Sequence, residues 1–263
     1  MENAELDLLT ETFRKAMTAA SGQDLDTALT ELGWPELLTD EPGIALSTVF
    51  RLLGETGTHA SLINDVVLAA AGRPLGGVPA LPYTGGAWIR WARTDQAGTT
   101  LDGELPLRRA TGADSGQPLP LAAGRRALGW WLTGTARAML ALARTHALDR
   151  SQFGKPLAAF QAVRHRLAET LVAVEGAEAT LTTADDDLGS LLAKAAAGKA
   201  ALTAARHCQQ VLAGIGFTAE HDLHRHMRRA LVLDGLLGSA RELTREAGAT
   251  LREHGAAPRL VHL

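Results

Sequence analysis

From Leu119 onward the chain is patterned for long helices, and that pattern leaves few folds open to it. Val163, Leu167, Leu171, Val174, Ala177 and Leu181 step by three or four, the spacing of one apolar stripe along a helix. A stripe of that length must be buried against other helices, so it predicts the seam of a bundle helix. Arg164, Arg166, Glu175 and Glu178 fall off the stripe, toward solvent or a partner. Asp185-Asp186-Asp187 then breaks the period and offers carboxylates to cap the next helix. That helix, about Leu188 to Leu212, is rich in alanine and permits close helix–helix approach. It ends at Ala213-Gly214-Ile215-Gly216-Phe217, where the glycines can take left-handed conformations and stop it. A further helix runs through His226 to Leu237, and Ser239 can cap the last one.

The first part of the chain, from about Glu5 to Ala71, reads as short helices. Leu9, Phe13 and Met17 recur every four residues, while Ser61 and Asn64-Asp65 form polar breaks before the apolar run Val66 to Ala71. Between Gly72 and Pro118 the helical period disappears and Gly, Pro and Thr become frequent. Ala87-Trp88-Ile89-Arg90-Trp91 alternates as strands do, with Gly85-Gly86 as a turn before it. The expected organisation is therefore an N-terminal helical part (1–71), a small β region (72–118) and a C-terminal helical bundle (119–263).

At 263 residues, 46% hydrophobic and 21% charged, the chain can bury a substantial core. A formal charge of −3 gives no electrostatic reason to expect nucleic acid or an anionic membrane surface. The single cysteine, Cys208, excludes an internal disulfide framework and suits a reducing cytoplasm. Glu2, Glu5 and Asp7 stand where a signal peptide would need basic residues. Arg125, Arg126 and Arg137 interrupt the longest apolar region, Leu121 to Ala143, so it is not read as a membrane span.

The chemistry concentrates in Asp149-Arg150-Ser151-Gln152-Phe153-Gly154-Lys155-Pro156, followed by Phe160-Gln161. An arginine, an aromatic ring, a glycine turn and an amide at one helix junction suit an anionic, aromatic cofactor. Each also has a plainer reading, with Arg150 closing a helix end, Phe153 in the core and the glycines merely turning the chain.

These blocks, together with Gln210-Val-Leu-Ala-Gly-Ile-Gly-Phe-Thr218, resemble the acyl-CoA dehydrogenase family in order and spacing. Glu31-Leu-Gly-Trp-Pro-Glu-Leu-Leu38 also resembles the family's start. The resemblance implies a mainly α fold, with N-terminal helices, a middle β domain that is reduced here, and a C-terminal four-helix bundle. It implies FAD as cofactor and oxidation of acyl-CoA thioesters across the α,β-carbons. A guanidinium can hold the FAD pyrophosphate through charge-assisted hydrogen bonds, the role expected for Arg150. Phe153 would lie against the cofactor, and Gln161 and Gln210 would bond its polar edges. In the family, the elements matching Arg150, Gln152, Phe153, Phe160, Gln161, Gln210 and Gly214 serve the neighbouring subunit's flavin. A chain's own flavin is held by the middle β domain.

The family's catalytic base is a glutamate before a Gly-Thr pair, and here Leu237 stands in its place in Leu236-Leu237-Gly238-Ser239. A second family location for the base falls near Gly124-Arg125, again without a carboxylate. Asp234, one helical turn before Leu237, is the weak substitute; a solvated or capping aspartate is the plainer reading. His221, His224 and His226 with Asp222 are metal-binding residue types, but no compact ligand set is complete, and hydrogen bonding is the expected role. Cys208 reads as a buried helix residue, Trp130-Trp131 as interface or core aromatics, and Arg125 or Arg126 as either a CoA-phosphate contact or a surface arginine.

The reading that joins these features is a base-less subunit of a heteromeric acyl-CoA dehydrogenase, completing the flavin site of a catalytic partner. It resembles the short chains of actinobacterial heterotetramers that act on CoA thioesters of steroid side chains. The alternatives are a homomeric enzyme using Asp234 and a flavin-free assembly protein.

Overall fold

The computed structural model describes residues 3–94 and 102–256. Glu2, the outer ends of the first and last expected parts, and 95–101 within the β region lie outside the described residues. The first helices are α1 (Asn3–Ala19), α2 (Gly22–Glu31), α3 (Trp34–Asp40) and α4 (Pro42–Ile44). A π-helical turn, Ala45–Phe50, leads into α5 (Arg51–Thr56) and α6 (Leu62–Ala70). Phe13 and Met17 are buried, as their spacing predicts, and Leu9 packs at the core's edge.

Asn64 and Asp65 do not break a helix as expected; they lie inside α6. They are tolerated there because both are partnered. Asn64 donates to the Trp91 carbonyl at 2.8 Å, and Asp65 pairs with Arg93 at 2.5 Å while accepting from the Trp34 indole at 3.3 Å. Ser61, just before α6, bonds Asp26 rather than capping its own helix.

The β region is an antiparallel sheet of β1 (Ala80–Tyr83), β2 (Ala87–Trp91) and β3 (Leu107–Ala110), in that order. Gly85 and Gly86 both have positive φ (72° and 74°) and make the β1–β2 turn. Arg90 on β2 pairs with Asp114.

α7 (Ala122–Asp149) is followed by a hairpin of β4 (Ser151–Gln152) and β5 (Lys155–Pro156), and then by α8 (Gln161–Thr183). α9 (Asp187–Leu212), a 3-10 turn (Ala213–Phe217), α10 (Leu223–Gly235) and α11 (Ala240–His254) complete the order. α7, α8, α9 and α10 form the bundle, with α11 laid on α9. The caps are where the sequence puts them. Asp186 accepts from the Gly189 amide at 2.6 Å to start α9, and Ser239 and Glu242 form a reciprocal capping box on α11.

The α8 stripe differs at one position: Thr170 is buried and Leu171 is 42% exposed. Thr170 can be buried because its hydroxyl bonds the Arg166 carbonyl at 2.8 Å and His207 Nδ1 at 3.0 Å. α10 ends two residues short of the expected Leu237; Leu236 instead bridges to Tyr83 of β1. The left-handed residue after α9 is Ala213 (φ 52°), not either glycine.

The three textures share one continuous core. Trp131 of α7 meets Phe50 (ring centroids 5.8 Å apart) and Trp91 of β2 (5.4 Å), and Phe50 meets Trp34 (6.1 Å). Beside this cluster α5 and α7 cross with their backbones in contact. A Cβ at Gly54 would overlap the Trp131 carbonyl, and one at Gly134 would overlap the Arg51 carbonyl. Gly134→Ala is expected to cost about 2 kcal/mol or more, a fall in Tm of roughly 4–8 °C. An unchanged thermal melt would show that the crossing can relax.

Candidate functional site

The C-terminal end of α7, the hairpin, the N-terminal end of α8 and the C-terminal end of α9 lie at one end of the bundle. This follows from the antiparallel run of α8 between α7 and α9. Ser151 pairs with Pro156 and Gln152 with Lys155, leaving Phe153-Gly154 as a two-residue loop. Both loop residues have positive φ (53° and 78°), the backbone of a type I′ turn. Asparagine or glycine takes this conformation readily; for a bulky side chain it is strained.

Phe153 is also 91% exposed, which rules out the core reading. Among the described residues its only ring contact is edge-on to Phe160 at 6.3 Å, and Lys155 lies over the Phe160 ring at 4.4 Å. Arg150 closes α7 with its backbone, whose amide donates to the His146 carbonyl at 2.9 Å and whose carbonyl accepts from the Leu157 amide at 2.8 Å. Its guanidinium is exposed and makes no hydrogen bond or ion pair among the described residues. It borders a groove of about 550 Å³ with His146, Asp149 and His221. Burial, then His221 and Arg150, hold His146 below the usual histidine range, favouring its neutral form.

A second groove of about 520 Å³ runs between the start of α8 and the end of α9, lined by Ala162, His165, Gln210 and Ala213 among others. Gln161 opens α8 beside it and meets His165 at 3.4 Å. Gln210's side chain makes no hydrogen bond among the described residues. Gly214 follows, with open space on its Cβ side, whereas Gly216 is pressed against α9, where a Cβ would stand 2.8 Å from the Gln209 carbonyl. The missing side chain at Gly216 thus serves packing within the chain. Phe217, 73% exposed, and Ile215 add apolar surface at this end that the sequence reading did not single out. The guanidinium and the Gln210 amide, both without partners among the described residues, and the exposed ring fit the donor set that a dinucleotide pyrophosphate and flavin ring require.

The two positions where the resemblance expects a base meet inside the fold. A Cβ at Gly124 would lie 2.7 Å from Leu237 Cδ1 and 2.8 Å from Val67 Cγ1, so apolar side chains already fill that point. Leu237 is buried, with φ 57°. Its turn is held from every side. The Leu237 amide donates to the Pro82 carbonyl at 2.9 Å, and Arg125 Nε donates to the Leu237 carbonyl at 3.2 Å. Lys194, fully buried, donates to the carbonyls of Asp234 (2.7 Å) and Gly238. Arg125 is therefore a brace rather than a surface arginine, and Arg126 bonds the Ala184 carbonyl at 2.9 Å. The Asp234 carboxylate accepts from the Ala240 amide at 3.0 Å, a cap on α11. Glu242, held near 2 by amides from Gly85 and Ser239, ties the β1–β2 turn to α11.

The histidines do not converge. His221 Nδ1 accepts from the Leu223 amide at 3.1 Å, His224 Nδ1 meets the His221 carbonyl at 2.8 Å, and His226 is buried against Gly57. Burial, Arg229 and Arg225 push His226 down to about 4. Among the described residues no group of three or more His, Cys, Asp or Glu side chains is placed to hold a metal ion. Cys208 is buried in α9 and its thiol is raised to about 12. Trp131 is core, and Trp130 is buried at its edge. Among the described residues no helix is long and apolar enough to cross a membrane.

A model of the acyl-CoA dehydrogenase C-terminal domain matches residues 117–249. The chain belongs to the acyl-CoA dehydrogenase family. It is 34% identical over 235 residues to acyl-CoA dehydrogenase FadE34 of Mycobacterium tuberculosis, a match covering 79% of this chain and 32% of FadE34. The chain thus spans about a third of that relative's length. Its fold is similar to that of a steroid ACAD, Tcur3481–Tcur3483 (TM-score 0.75, 18% identity, 97% of this chain and 99% of that chain). It is also similar to the ChsE4–ChsE5 complex from Mycobacterium tuberculosis (TM-score 0.67, 17% identity, 98% and 99%). Members of the family use FAD.

Lys194 offers a direct check on the packed turn. Burial lowers its ammonium from the usual 10.5 to about 7. Between about pH 7 and 10.5 the unfolded chain keeps the proton that the folded chain has lost, so this group makes folding more stable as pH rises through that window. Denaturation curves from pH 6 to 10 should show that rise, and Lys194→Met should flatten it. Equal slopes in both proteins would place Lys194 in contact with water.

Proposed function

We propose that this chain is a subunit of a heteromeric, FAD-dependent acyl-CoA dehydrogenase that lends its hairpin end to the flavin site of a catalytic partner. The observation that carries the reading is Phe153, a strained and almost wholly exposed ring that, among the described residues, meets one other ring, edge-on at Phe160. Strain of this kind costs about 1–3 kcal/mol and persists where a site needs it. Arg150 beside it and Gln210 on α9 have side chains without partners among the described residues. In this reading Arg150 binds the pyrophosphate, Phe153 covers the ring system, and Gln152, Gln161 and Gln210 orient polar edges. Phe160 holds the hairpin through its ring and through Lys155.

FAD, when bound, accepts hydride from the β-carbon of the thioester. The α-proton needs a carboxylate, and this chain offers none at the matching place. Leu237 cannot take a proton, and the space around Gly124 is packed shut. Asp234 is occupied as a helix cap, which disfavours the homomeric alternative. The base, the thioester and most of the substrate contacts therefore belong to the partner in this reading. A CoA thioester of a steroid side chain is the substrate class we favour, from the similarity to FadE34 and to the steroid ACAD. The single buried cysteine suits work in the cytoplasm.

The test is Arg150→Ala in the complex co-purified with the product of a neighbouring dehydrogenase-like gene. Flavin absorbance per complex should fall at least tenfold while the two chains still co-purify. Unchanged flavin content would contradict the donor role.

A further inference from the structure

α9, α10 and α11 leave a groove of about 590 Å³ on the flank of the bundle. Ala195, Lys199, Leu202 and Arg206 stand at i, i+4, i+7 and i+11 of α9, so they share one face. At 1.5 Å per residue that face is about 16 Å long. α10 runs back along it, with Met227, Leu231 and Asp234 as the facing wall. The start of α11 closes one end. A Cβ at Gly198 would overlap the Asp234 carboxylate and lie 3.2 Å from Ala240 Cβ.

The middle of the groove is apolar. Ala195 and Ala205 are buried beneath it, Leu202 and Met227 are half-buried, and Leu231 is 60% exposed. A concave surface of this size, mostly apolar with a few polar groups, is what small ligands occupy.

The charges around it indicate the other half of such a ligand. Lys199 and Arg206 lie about 10 Å apart along α9, toward opposite ends of the groove. Arg241, beside Ala240, joins the Lys199 end. None of the three forms an ion pair among the described residues, and Arg206 meets only the Thr203 hydroxyl, at 3.5 Å. Asp234 is the one acid in the lining, and its carboxylate accepts from the Ala240 amide at 3.0 Å. Three cations against one carboxylate leave the groove positive in a chain whose formal charge is −3. An apolar floor with two cations at one end is complementary to an acyl chain that carries an anionic head.

We propose that this groove binds an anionic amphiphile, its acyl chain laid on Leu202, Met227 and Leu231 and its head group held by Lys199 and Arg241. The site shares no residue with the hairpin end and does not depend on the flavin-lending reading.

Calorimetric titration tests it on the protein as purified, with whatever partner it carries. Laurate should bind saturably, and dodecyl maltoside, an uncharged head on the same chain, roughly tenfold more weakly or worse. Lys199→Glu with Arg241→Glu, both at exposed positions where circular dichroism should be unchanged, should weaken laurate by a similar factor. A second variant locates the site. Leu231→Cys labelled with an environment-sensitive dye should change its emission as laurate binds, and Cys208 is buried and gives little background. Laurate that does not saturate, or that binds no better than the maltoside, overturns the proposal. So does laurate affinity unchanged in the double variant, or a dye at position 231 that does not respond.

Discussion

The contact on which the rest of this molecule depends is the crossing of α5 over α7 beside Trp131. Gly54 and Gly134 let the two backbones touch, which brings Phe50 and Trp34 from the N-terminal helices onto Trp131. Trp91 closes the same cluster from the sheet. One side chain on α7 thereby joins helices, sheet and bundle into a single core. A small β region of short strands needs such an anchor, because it has little apolar surface of its own to bury.

With the core fixed in this way, the two ends of the dehydrogenase-like framework have diverged. Around Leu237 the fold is filled and braced. Lys194, Arg125, Glu242 and strand β1 hold the turn, and Leu237 and Val67 occupy the space beside Gly124. Apolar side chains fill the point where the resemblance expects a base, and no carboxylate stands there. At the hairpin end the opposite holds. Phe153, Phe217 and Ile215 are exposed, and Arg150 and Gln210 keep their polar groups unpaired among the described residues. On the proposed reading, a chain that buries the one and displays the other completes a neighbour's site.

How much of this the sequence showed depends on how local each feature is. Asp186, Ser239 and the Gly85-Gly86 turn act within three residues of themselves, and all three were legible. The α8 stripe was legible as a period, but spacing alone does not separate Thr170 from Leu171; a hydrogen bond from His207, 37 residues away, decides it. Asn64 and Asp65 looked like breaks because the partners that permit their burial, Trp91 and Arg93, lie in the sheet. Lys194 stands in an alanine-rich run and gave no signal, since its acceptors come from carbonyls 40 and 44 residues further on. The residues of the candidate site were named from sequence, whereas the strain and exposure of Phe153 required the backbone.

The most direct test is the flavin content of this chain purified alone and then together with a co-expressed dehydrogenase-like chain. Colourless protein alone and one flavin per pair of unlike chains in the complex are expected, read from flavin absorbance against protein concentration. A chain that is yellow by itself, with one flavin per copy, would contradict the flavin-lending reading.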